Sequence, residues 1–212
     1  MRVNEIFYSI QGESTFAGLP CAFIRLTACN LRCSYCDTEY AFYEGREMSL
    51  EEILAVIAPY PTRLALVTGG EPMLQEGVHL LFRALLERDY TVTVETGGQV
   101  WLREVDTRVH KIVDLKCPSS GMSARNDYRN IDCLTPGDEV KFVVGDRADF
   151  DWACGQIAEY DLARRAGTVL VSPVYGKLAY DRLARWVLDS GLPIRLQLQL
   201  HKVIWPGVER GV

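Results

Sequence analysis

The sequence predicts an α/β fold, an incomplete and partly open (β/α) barrel with a mainly parallel sheet, and three observations support this prediction. Short β-rich runs alternate with amphipathic helical stretches along the chain. The runs are almost continuously apolar, as expected of parallel strands that are covered on both faces. The chain has 212 residues, whereas a complete eight-fold barrel usually needs about 250. We therefore expect a single domain, residues 1–212, whose barrel does not close.

Seven strand candidates and four helical stretches account for most of the chain. Ser49 and Glu52 form a capping-box pattern, which predicts the start of the first helix. The three later helical stretches carry apolar residues at helical spacing. The strand candidates are residues 21–27, 64–68, 91–95, 111–115, 139–144, 168–172 and 194–199, and the helical stretches are residues 49–58, 74–89, 149–166 and 178–190.

Composition limits the class of partner and the compartment. The formal net charge is −5, and Lys and Arg are scattered along the chain, so there is no basic surface of the kind that binds nucleic acid. No apolar run resembles a signal peptide or reaches the length of a membrane span. We therefore expect a cytoplasmic protein with a small-molecule partner.

Three of the seven cysteines provide the strongest chemical signal. An odd number of cysteines in a cytoplasmic chain does not predict disulfides. Cys29, Cys33 and Cys36 lie within eight positions of one another, with no fourth cysteine beside them. They are compatible with a [4Fe-4S] cluster, with zinc if distant Cys117 or Cys133 completes a tetrahedron, or with chance clustering. On a cubane, three cysteines leave one iron open to a non-protein ligand.

Polar residues follow the carboxyl ends of the predicted strands. In parallel α/β folds, ligands bind at this edge of the sheet. We therefore expect the site to include Cys29, the turn at residues 68–71, Glu95 with Thr96, Lys116, Ser172 with Pro173, and His201.

Two motifs resemble those of a known superfamily. CNLRCSYC (29–36) contains the CxxxCxxC spacing of the radical S-adenosylmethionine (radical SAM) superfamily, and TGGEP (68–72) resembles its GGE motif. The resemblance implies a partial barrel of radical SAM type. It also implies a [4Fe-4S] cluster whose open iron binds S-adenosylmethionine and whose reduction yields a 5′-deoxyadenosyl radical. Glycines permit close backbone approach, and an acidic residue suits the ammonium of the methionine group.

Further stretches resemble one family within that superfamily, the 7-carboxy-7-deazaguanine synthases of queuosine and deazapurine biosynthesis. These stretches are FYSIQGES (7–14), CDT (36–38), DLKCPSSGM (114–122), LQLHKVIWP (198–206) and the terminal ERGV. The resemblance implies a lyase that takes hydrogen from C6 of 6-carboxy-5,6,7,8-tetrahydropterin, contracts the ring and releases ammonia. It also implies that S-adenosylmethionine is regenerated in each turnover and that Mg²⁺ is required.

The same resemblance assigns roles to individual residues. Family members often have serine where this chain has Cys117, so the resemblance does not fix the exact contacts of that turn. Substrate contacts are implied for Ile10, Gln11, Gly12, Glu13, Arg25, Thr68, His201 and Val212; contacts with S-adenosylmethionine for Tyr35, Gly69, Gly70, Glu71, Glu95, Lys116, Cys117, Pro118 and Ser172; cluster binding for Cys29, Cys33 and Cys36; and Mg²⁺ binding for Thr38.

Several alternatives stay open at the level of sequence. Arg25 is also suited to a sheet-edge ion pair, Gly69 and Gly70 to an ordinary tight turn, and His201 to simple packing. The whole chain is also compatible with a glycyl-radical-enzyme activase, whose partner is a large protein, or with a non-catalytic zinc or iron–sulfur module such as an electron carrier. For the radical synthase we expect an external electron donor, such as a flavodoxin, and a homodimer.

Overall fold

The computed structural model describes residues 1–212 as nine strands, six α-helices and several short 3₁₀ turns. The strands are β1 (Arg2–Ile10), β2 (Pro20–Leu26), β3 (Arg46–Glu47), β4 (Leu64–Gly69), β5 (Thr91–Thr96), β6 (His110–Asp114), β7 (Glu139–Val144), β8 (Thr168–Pro173) and β9 (Arg195–Leu196). The helices are α1 (Leu50–Ile57), α2 (Val78–Leu86), α3 (Arg147–Glu159), α4 (Leu162–Arg165), α5 (Tyr180–Ser190) and α6 (Leu200–Ile204).

All nine strands belong to one sheet with the order β3-β1-β2-β4-β5-β6-β7-β8-β9. The seven strands from β2 to β9 in this order run parallel, whereas β1 pairs antiparallel with both β2 and β3. The first and last strands of the order do not pair, so the sheet is open. This confirms the predicted α/β fold with a partly open, mainly parallel barrel.

Six of the seven predicted strands are present, with their ends within one residue of the prediction. The seventh prediction, residues 194–199, is wrong in length, because only Arg195–Leu196 pair as a strand. The chain then turns into α6, whose first backbone N–H, that of Leu200, donates to the carbonyl oxygen of Gly12 at 3.0 Å. Strands β1 and β3 were not predicted, and both are antiparallel additions at one edge of the sheet.

The helices begin and end where local side-chain chemistry dictates. The Ser49 hydroxyl accepts from the Glu52 backbone N–H at 3.1 Å, and the Glu52 carboxylate accepts from the Ser49 N–H at 2.6 Å. This confirms the predicted capping box. The predicted helix over residues 149–166 is divided into α3 and α4 at Asp161, whose left-handed backbone (φ 51°) interrupts the helical path.

Side-chain alternation separates the two faces of the sheet. On β7, Val140, Phe142 and Val144 join the main hydrophobic core that the helices cover. Lys141 and Val143 point to the opposite face and line a cavity. We call this second face the inner face. Because strand residues alternate with a period of two, one apolar run supplies both the core and the wall of a ligand site. None of the helices has the length and apolar character needed to cross a bilayer.

Candidate active site

One cavity of about 460 Å³ lies on the inner face and at the carboxyl edge of the sheet. This volume is within the usual range for small-molecule sites, about 300–1,000 Å³. All the residues predicted to bind substrate or metal line it, as do the predicted S-adenosylmethionine residues except Cys117, Pro118 and Ser172. The predicted residues in its wall are Ile10, Gln11, Gly12, Glu13, Arg25, Cys29, Cys33, Tyr35, Cys36, Thr38, Thr68, Gly69, Gly70, Glu71, Glu95, Lys116, His201 and Val212.

The cysteine loop follows β2 and places three thiols on the cavity wall. Cys29, Cys33 and Cys36 are all partly exposed, and none forms a disulfide. Burial is the main reason that the pKa of each thiol is raised. The thiols therefore keep their protons near neutral pH until a metal displaces them. No three His, Cys, Asp or Glu side chains in the structure lie close enough to hold a single metal ion, whereas each cysteine of a cluster binds a different iron.

Gly69 and Gly70 bring the end of β4 against the end of β2. A Cβ at Gly70 would lie 2.0 Å from the carbonyl oxygen of Ala28, and one at Gly69 would lie 2.5 Å from that of Leu26. The backbone N–H of Glu71 donates to the same Ala28 oxygen at 2.7 Å. These glycines are therefore required by the close approach of two backbones, which anchors the residue just before Cys29.

Glu71 links the ends of β4 and β5. Its carboxylate is fully buried and accepts from the Thr96 hydroxyl at 2.8 and 2.9 Å, from the Gly97 N–H at 2.9 Å and from the Met73 N–H at 3.0 Å. Burial raises its pKa despite these donors. Since a carboxylate offers about four acceptor sites, Glu71 keeps limited capacity for a ligand group in the cavity.

The segment Gln11–Gly12–Glu13 follows β1 and packs against α6. A Cβ at Gly12 would lie 2.2 Å from Nδ1 of His201, so only glycine leaves room for that ring. Gln199 donates from Nε2 to Glu13 Oε1 at 2.8 Å. His201 lies on α6, not after a strand as predicted, yet it lines the cavity. Burial lowers its pKa, although the Glu13 carboxylate opposes this effect.

A charged cluster occupies the wall formed by β5, β6 and β7. Lys141 Nζ lies 2.7 Å from Glu13 Oε2, 2.9 Å from Glu95 Oε1 and 3.8 Å from Asp114 Oδ2. Lys116 Nζ lies 2.9 Å from Asp114 Oδ2. Lys141 and Asp114 were not identified from the sequence. Lys141 carried a usable signal, since it lies among the apolar residues that follow Glu139 in EVKFVV, a strand expected to be covered on both faces.

Arg25 is both an ion-pair partner and a cavity residue. Its Nε donates to Glu5 Oε1 at 2.8 Å, and the two residues are cross-strand neighbours on β2 and β1. The sheet-edge ion pair considered from the sequence is therefore present. The terminal guanidinium nitrogens have no protein hydrogen bond, and Arg25 lines the cavity. They remain able to bind an anionic group in the paired manner that arginine favours.

Thr38 and Asp37 lie at the end of the cysteine loop. The Thr38 hydroxyl donates to Asp37 Oδ1 at 2.9 Å, and Lys202 of α6 binds the other carboxylate oxygen. Partial desolvation opposes ionisation of the half-exposed Asp37 carboxyl, but Lys202 and Thr38 together hold its pKa well below the usual range. Neither Asp37 nor Lys202 was predicted from the sequence to be a site residue. Their pairing connects the cysteine loop to α6.

The C-terminal tail is fastened beside the cavity. Arg210 pairs with Glu44 at 2.8 Å and its guanidinium lies 4.1 Å from the centre of the Tyr40 ring. The Tyr40 hydroxyl donates to the Glu209 carbonyl oxygen at 3.3 Å. These contacts bring Val212 to the cavity wall.

Three predicted S-adenosylmethionine residues lie outside the cavity. Cys117 is fully buried in the main core, and the exposed Pro118 starts a 3₁₀ turn that ends at the buried Ser120. That turn supports the cysteine loop, because Ser34 donates through its N–H and hydroxyl to carbonyls of the turn at 3.0 and 2.7 Å. The Ser172 hydroxyl is buried without a protein partner. The cofactor contacts of all three residues stay predictions.

The residues present fit a polar cofactor held beside a cluster. Two cavity atoms, Gln99 Oε1 and Asp114 Oδ1, are buried without any hydrogen-bond partner in the protein. Buried polar groups are nearly always hydrogen-bonded, so unpartnered atoms in a cavity wall indicate a ligand with donors. Together with three thiols on the same wall, they suit a cluster and a donor-rich small molecule.

The class of the protein follows from a match between this chain and a family model. The model described as Radical SAM superfamily matches residues 23–153, which include the cysteine loop and the strands that carry most of the cavity. The chain belongs to this superfamily, whose members bind a [4Fe-4S] cluster and S-adenosylmethionine. Curated relatives narrow the assignment further, and the chain belongs to the family of 7-carboxy-7-deazaguanine synthases.

Two relatives and one solved structure illustrate the likeness. The 7-carboxy-7-deazaguanine synthase of Koribacter versatilis is 44% identical over 226 aligned residues, covering 100% of both chains. That of Chlorobaculum tepidum is 44% identical over 215, covering 100% of this chain and 97% of the relative. The crystal structure of QueE from Escherichia coli is similar in fold, with a TM-score of 0.73, 23% identity and 93% of each chain covered.

Proposed function

We propose that this chain converts 6-carboxy-5,6,7,8-tetrahydropterin to 7-carboxy-7-deazaguanine with loss of ammonia. The observation that carries this proposal is the meeting of two distant segments in one cavity. The segment Gln11–Gly12–Glu13 and the three cysteines of residues 29–36 line the same cavity. A substrate bound by the first segment therefore lies within the space that the cofactor at the second must reach.

The substrate side of the cavity combines a cation with acceptors. Arg25 presents free guanidinium nitrogens that suit the substrate carboxylate. Glu13, whose pKa is lowered by Lys141 even though burial opposes this, stays ionised and accepts from ring N–H groups. Gln11 is buried and contributes an amide that both donates and accepts. Together these groups orient the pterin and exclude water from its ring.

The cofactor side is formed by the cysteine loop and the ends of β4, β5 and β6. Cys29, Cys33 and Cys36 hold the cluster, and Glu71 with Glu95 faces the amino acid part of S-adenosylmethionine. When bound, the cluster and S-adenosylmethionine supply the radical that removes hydrogen from C6 of the pterin. The protein contributes the placement of C6 and a cavity that keeps competing hydrogen donors away.

The proposal includes a Mg²⁺ ion that is bound by Thr38. The Thr38 hydroxyl oxygen borders the cavity, and its proton is directed to Asp37, which leaves oxygen lone pairs for a cation. Mg²⁺ usually takes one or two protein oxygens and completes its octahedron with substrate oxygens and waters. One threonine at the substrate side fits that pattern.

The test is turnover by the reconstituted protein. The protein is loaded with iron and sulfide under anaerobic conditions, reduced, and mixed with S-adenosylmethionine, Mg²⁺ and the pterin. The expected result is a product lighter than the substrate by the mass of ammonia, without any protein partner. Cys33→Ala is the control and yields neither this product nor 5′-deoxyadenosine.

A different outcome would support the radical chemistry of the superfamily but not the choice of substrate. Formation of 5′-deoxyadenosine without the lighter product would overturn the pterin assignment and leave a radical enzyme with another target. A glycyl-radical activase would then need a protein carrying the target glycine.

The proposal also includes a donor, an assembly state and a compartment. The cluster must receive one electron, so an external donor such as a flavodoxin takes part. A homodimer is tested by light scattering during size-exclusion chromatography, where a mass near that of one chain would contradict it. The cytoplasm keeps thiols reduced, as the cysteine loop requires.

A further inference from the structure

Lys141 is a buried cation in the cavity wall. It lies near the middle of β7 on the inner face and is only 6% exposed. Lysine is almost never fully buried unless its ammonium is paired. Its position therefore requires partners that offset the loss of hydration.

Its partners come from three different elements. The ammonium contacts Glu13 after β1, Glu95 at the end of β5 and Asp114 at the end of β6, at 2.7, 2.9 and 3.8 Å. The first two distances are hydrogen bonds, and the third is within the range of direct charge attraction. One ammonium therefore fixes two carboxylates that the proposed function places at opposite sides of the reaction.

The charges of these groups depend on Lys141. Burial raises the pKa of Glu95, with Glu13 adding repulsion and Lys141 opposing both effects. Burial also opposes ionisation of Glu13, but Lys141 and Gln199 keep its pKa below the ordinary value. Burial would lower the pKa of Lys141 itself, yet Glu13 and Glu95 raise it well above its ordinary value. Without the ammonium, the negative charges of Glu13 and Glu95 would be buried close together. The carboxylates would then take up protons more readily, because protonation removes this repulsion.

Other charged groups act on this cluster from neighbouring elements. Lys116, beyond β6, pairs with Asp114 and repels Lys141. His201 of α6 interacts with Glu13 and Lys141, and Asp37 of the cysteine loop interacts weakly with Lys141. Of all these groups, only Lys141 contacts both Glu13 and Glu95.

We propose that Lys141 is a positioning residue whose ammonium pairs with Glu13 and Glu95 and holds both carboxylates in place, so that substrate and cofactor are oriented by one charge. This inference rests on the proposed function, which assigns Glu13 to the pterin and Glu95 to S-adenosylmethionine. Lys141 does not itself touch the reacting atoms in this account. Its effect passes through the two carboxylates.

The chain offers a matched control in Lys111. Lys111 is also a buried lysine of the sheet, with Nζ 2.9 Å from Asp138 Oδ2 and side-chain exposures of 2% and 1% for the pair. It does not border the cavity. Lys111→Met removes a buried ion pair of the same chemical type, so it reports the kinetic effect of lost stability alone.

The first experiment is the pH profile of kcat/KM for the pterin in wild type, Lys141→Met and Lys111→Met. We expect Lys141→Met to lose about tenfold or more at pH 7 and to recover toward wild type at higher pH. Loss of the ammonium raises the pKa of Glu13, so the pH below which kcat/KM falls moves upward. At a fixed pH below that point, a shift of one pH unit lowers kcat/KM about tenfold. Lys111→Met should keep the wild-type profile. A Lys141→Met to wild-type ratio that is constant across pH would overturn the inference.

Two further measurements protect the test against misfolding. Lys141→Arg keeps the charge and should retain the wild-type acid limb even if its kcat falls. Lys141→Met combined with Glu13→Gln should lose less than the product of the two single losses, because either change removes the Lys141–Glu13 interaction. If the loss of kcat/KM in the double variant equalled the product of the two single losses, the proposed coupling between Lys141 and Glu13 would be contradicted.

Binding and stability supply readouts that do not depend on turnover. Calorimetry on the oxidised, reconstituted protein should show weaker binding of S-adenosylmethionine in Lys141→Met and unchanged binding in Lys111→Met. The Tm difference between wild type and Lys141→Met should grow from pH 5 to pH 8, since buried carboxyl groups with raised pKa destabilise the fold as pH rises. If wild type failed to convert the pterin, the proposed function would fail, yet these results would still decide the role of Lys141. Equal binding and a pH-independent Tm difference would refute that role.

Discussion

Gly12 and His201 pack so closely that a Cβ on residue 12 would lie 2.2 Å from Nδ1 of the imidazole and 3.1 Å from the His201 backbone nitrogen. The contact joins the segment after β1 to α6, at two ends of the chain. The Leu200 N–H, which donates to the Gly12 carbonyl oxygen at 3.0 Å, strengthens the same junction. This junction of the segment after β1 with α6 therefore forms part of the cavity wall.

Gly12→Ala should displace α6 and impair pterin turnover. The added methyl group must move His201 or the backbone behind it, at a cost of about 1–3 kcal/mol typical of overpacking. We expect kcat/KM for the pterin to fall about tenfold or more, while cluster content stays normal. Gly155→Ala is the control, because a Cβ there meets nothing within 4 Å. Wild-type kinetics in Gly12→Ala would show that the junction does not set the site.

Gly70→Ala should act on the cluster instead. Its Cβ would meet the Ala28 carbonyl oxygen at 2.0 Å, and Ala28 precedes the first cysteine in a left-handed conformation (φ 81°). Because backbone cannot yield as a side chain does, the cysteine loop should shift. The expected result is a lower iron content after reconstitution, measured by iron assay and absorbance, than in Gly155→Ala. Full iron loading would contradict this prediction.

Cys33→Ala and Cys133→Ala should differ completely in iron binding. Cys33 borders the cavity, whereas Cys133 packs against the main core, away from the cavity wall. We expect Cys33→Ala to lose the cluster and all S-adenosylmethionine cleavage, and Cys133→Ala to keep both. Loss of iron in Cys133→Ala would indicate that a fourth thiol joins the set.

Arg25→Gln should separate radical formation from substrate turnover. The variant removes the cation offered to the substrate carboxylate, so KM for the pterin should rise about tenfold or more, since charge-assisted hydrogen bonds contribute about 1.5–3 kcal/mol. Cleavage of S-adenosylmethionine should persist. Arg108→Gln, on an exposed pair with Asp106, is the matched control. A loss of cluster in Arg25→Gln alone would mean that its ion pair with Glu5 is structural.

Glu139→Gln should remove part of the acid sensitivity of the fold. Burial opposes ionisation of Glu139, but donors from His110 and Thr15 keep its pKa below the ordinary value. A carboxylate with a depressed folded pKa stabilises the protein above its unfolded pKa, and this contribution disappears as pH falls through the folded value. The Tm difference between wild type and Glu139→Gln should therefore be larger at pH 7 than at pH 3.5. Glu104→Gln, at an exposed site, should show no such trend.

The sequence predicted those parts of the site whose chemistry depends on local spacing. The three cysteines occupy one loop, and TGGEP one turn, so their pattern is visible without the fold. The parallel strands were predictable because both faces of each are covered, which leaves apolar runs. The antiparallel strand β1 was missed because RVNEIFYSI mixes polar and apolar residues without such a run.

Tertiary structure decided the electrostatics. Glu13 and Lys141 are 128 positions apart, and Asp37 and Lys202 are 165 apart, so no local pattern pairs them. Residues 194–199 illustrate the same limit, since their apolar alternation suits a strand but contact with Gly12 turns the following residues into a helix. By itself the sequence determined the fold class and the family. The open sheet alone decided which carboxylates share an ammonium, because burial on the inner face forces charges from distant segments to pair.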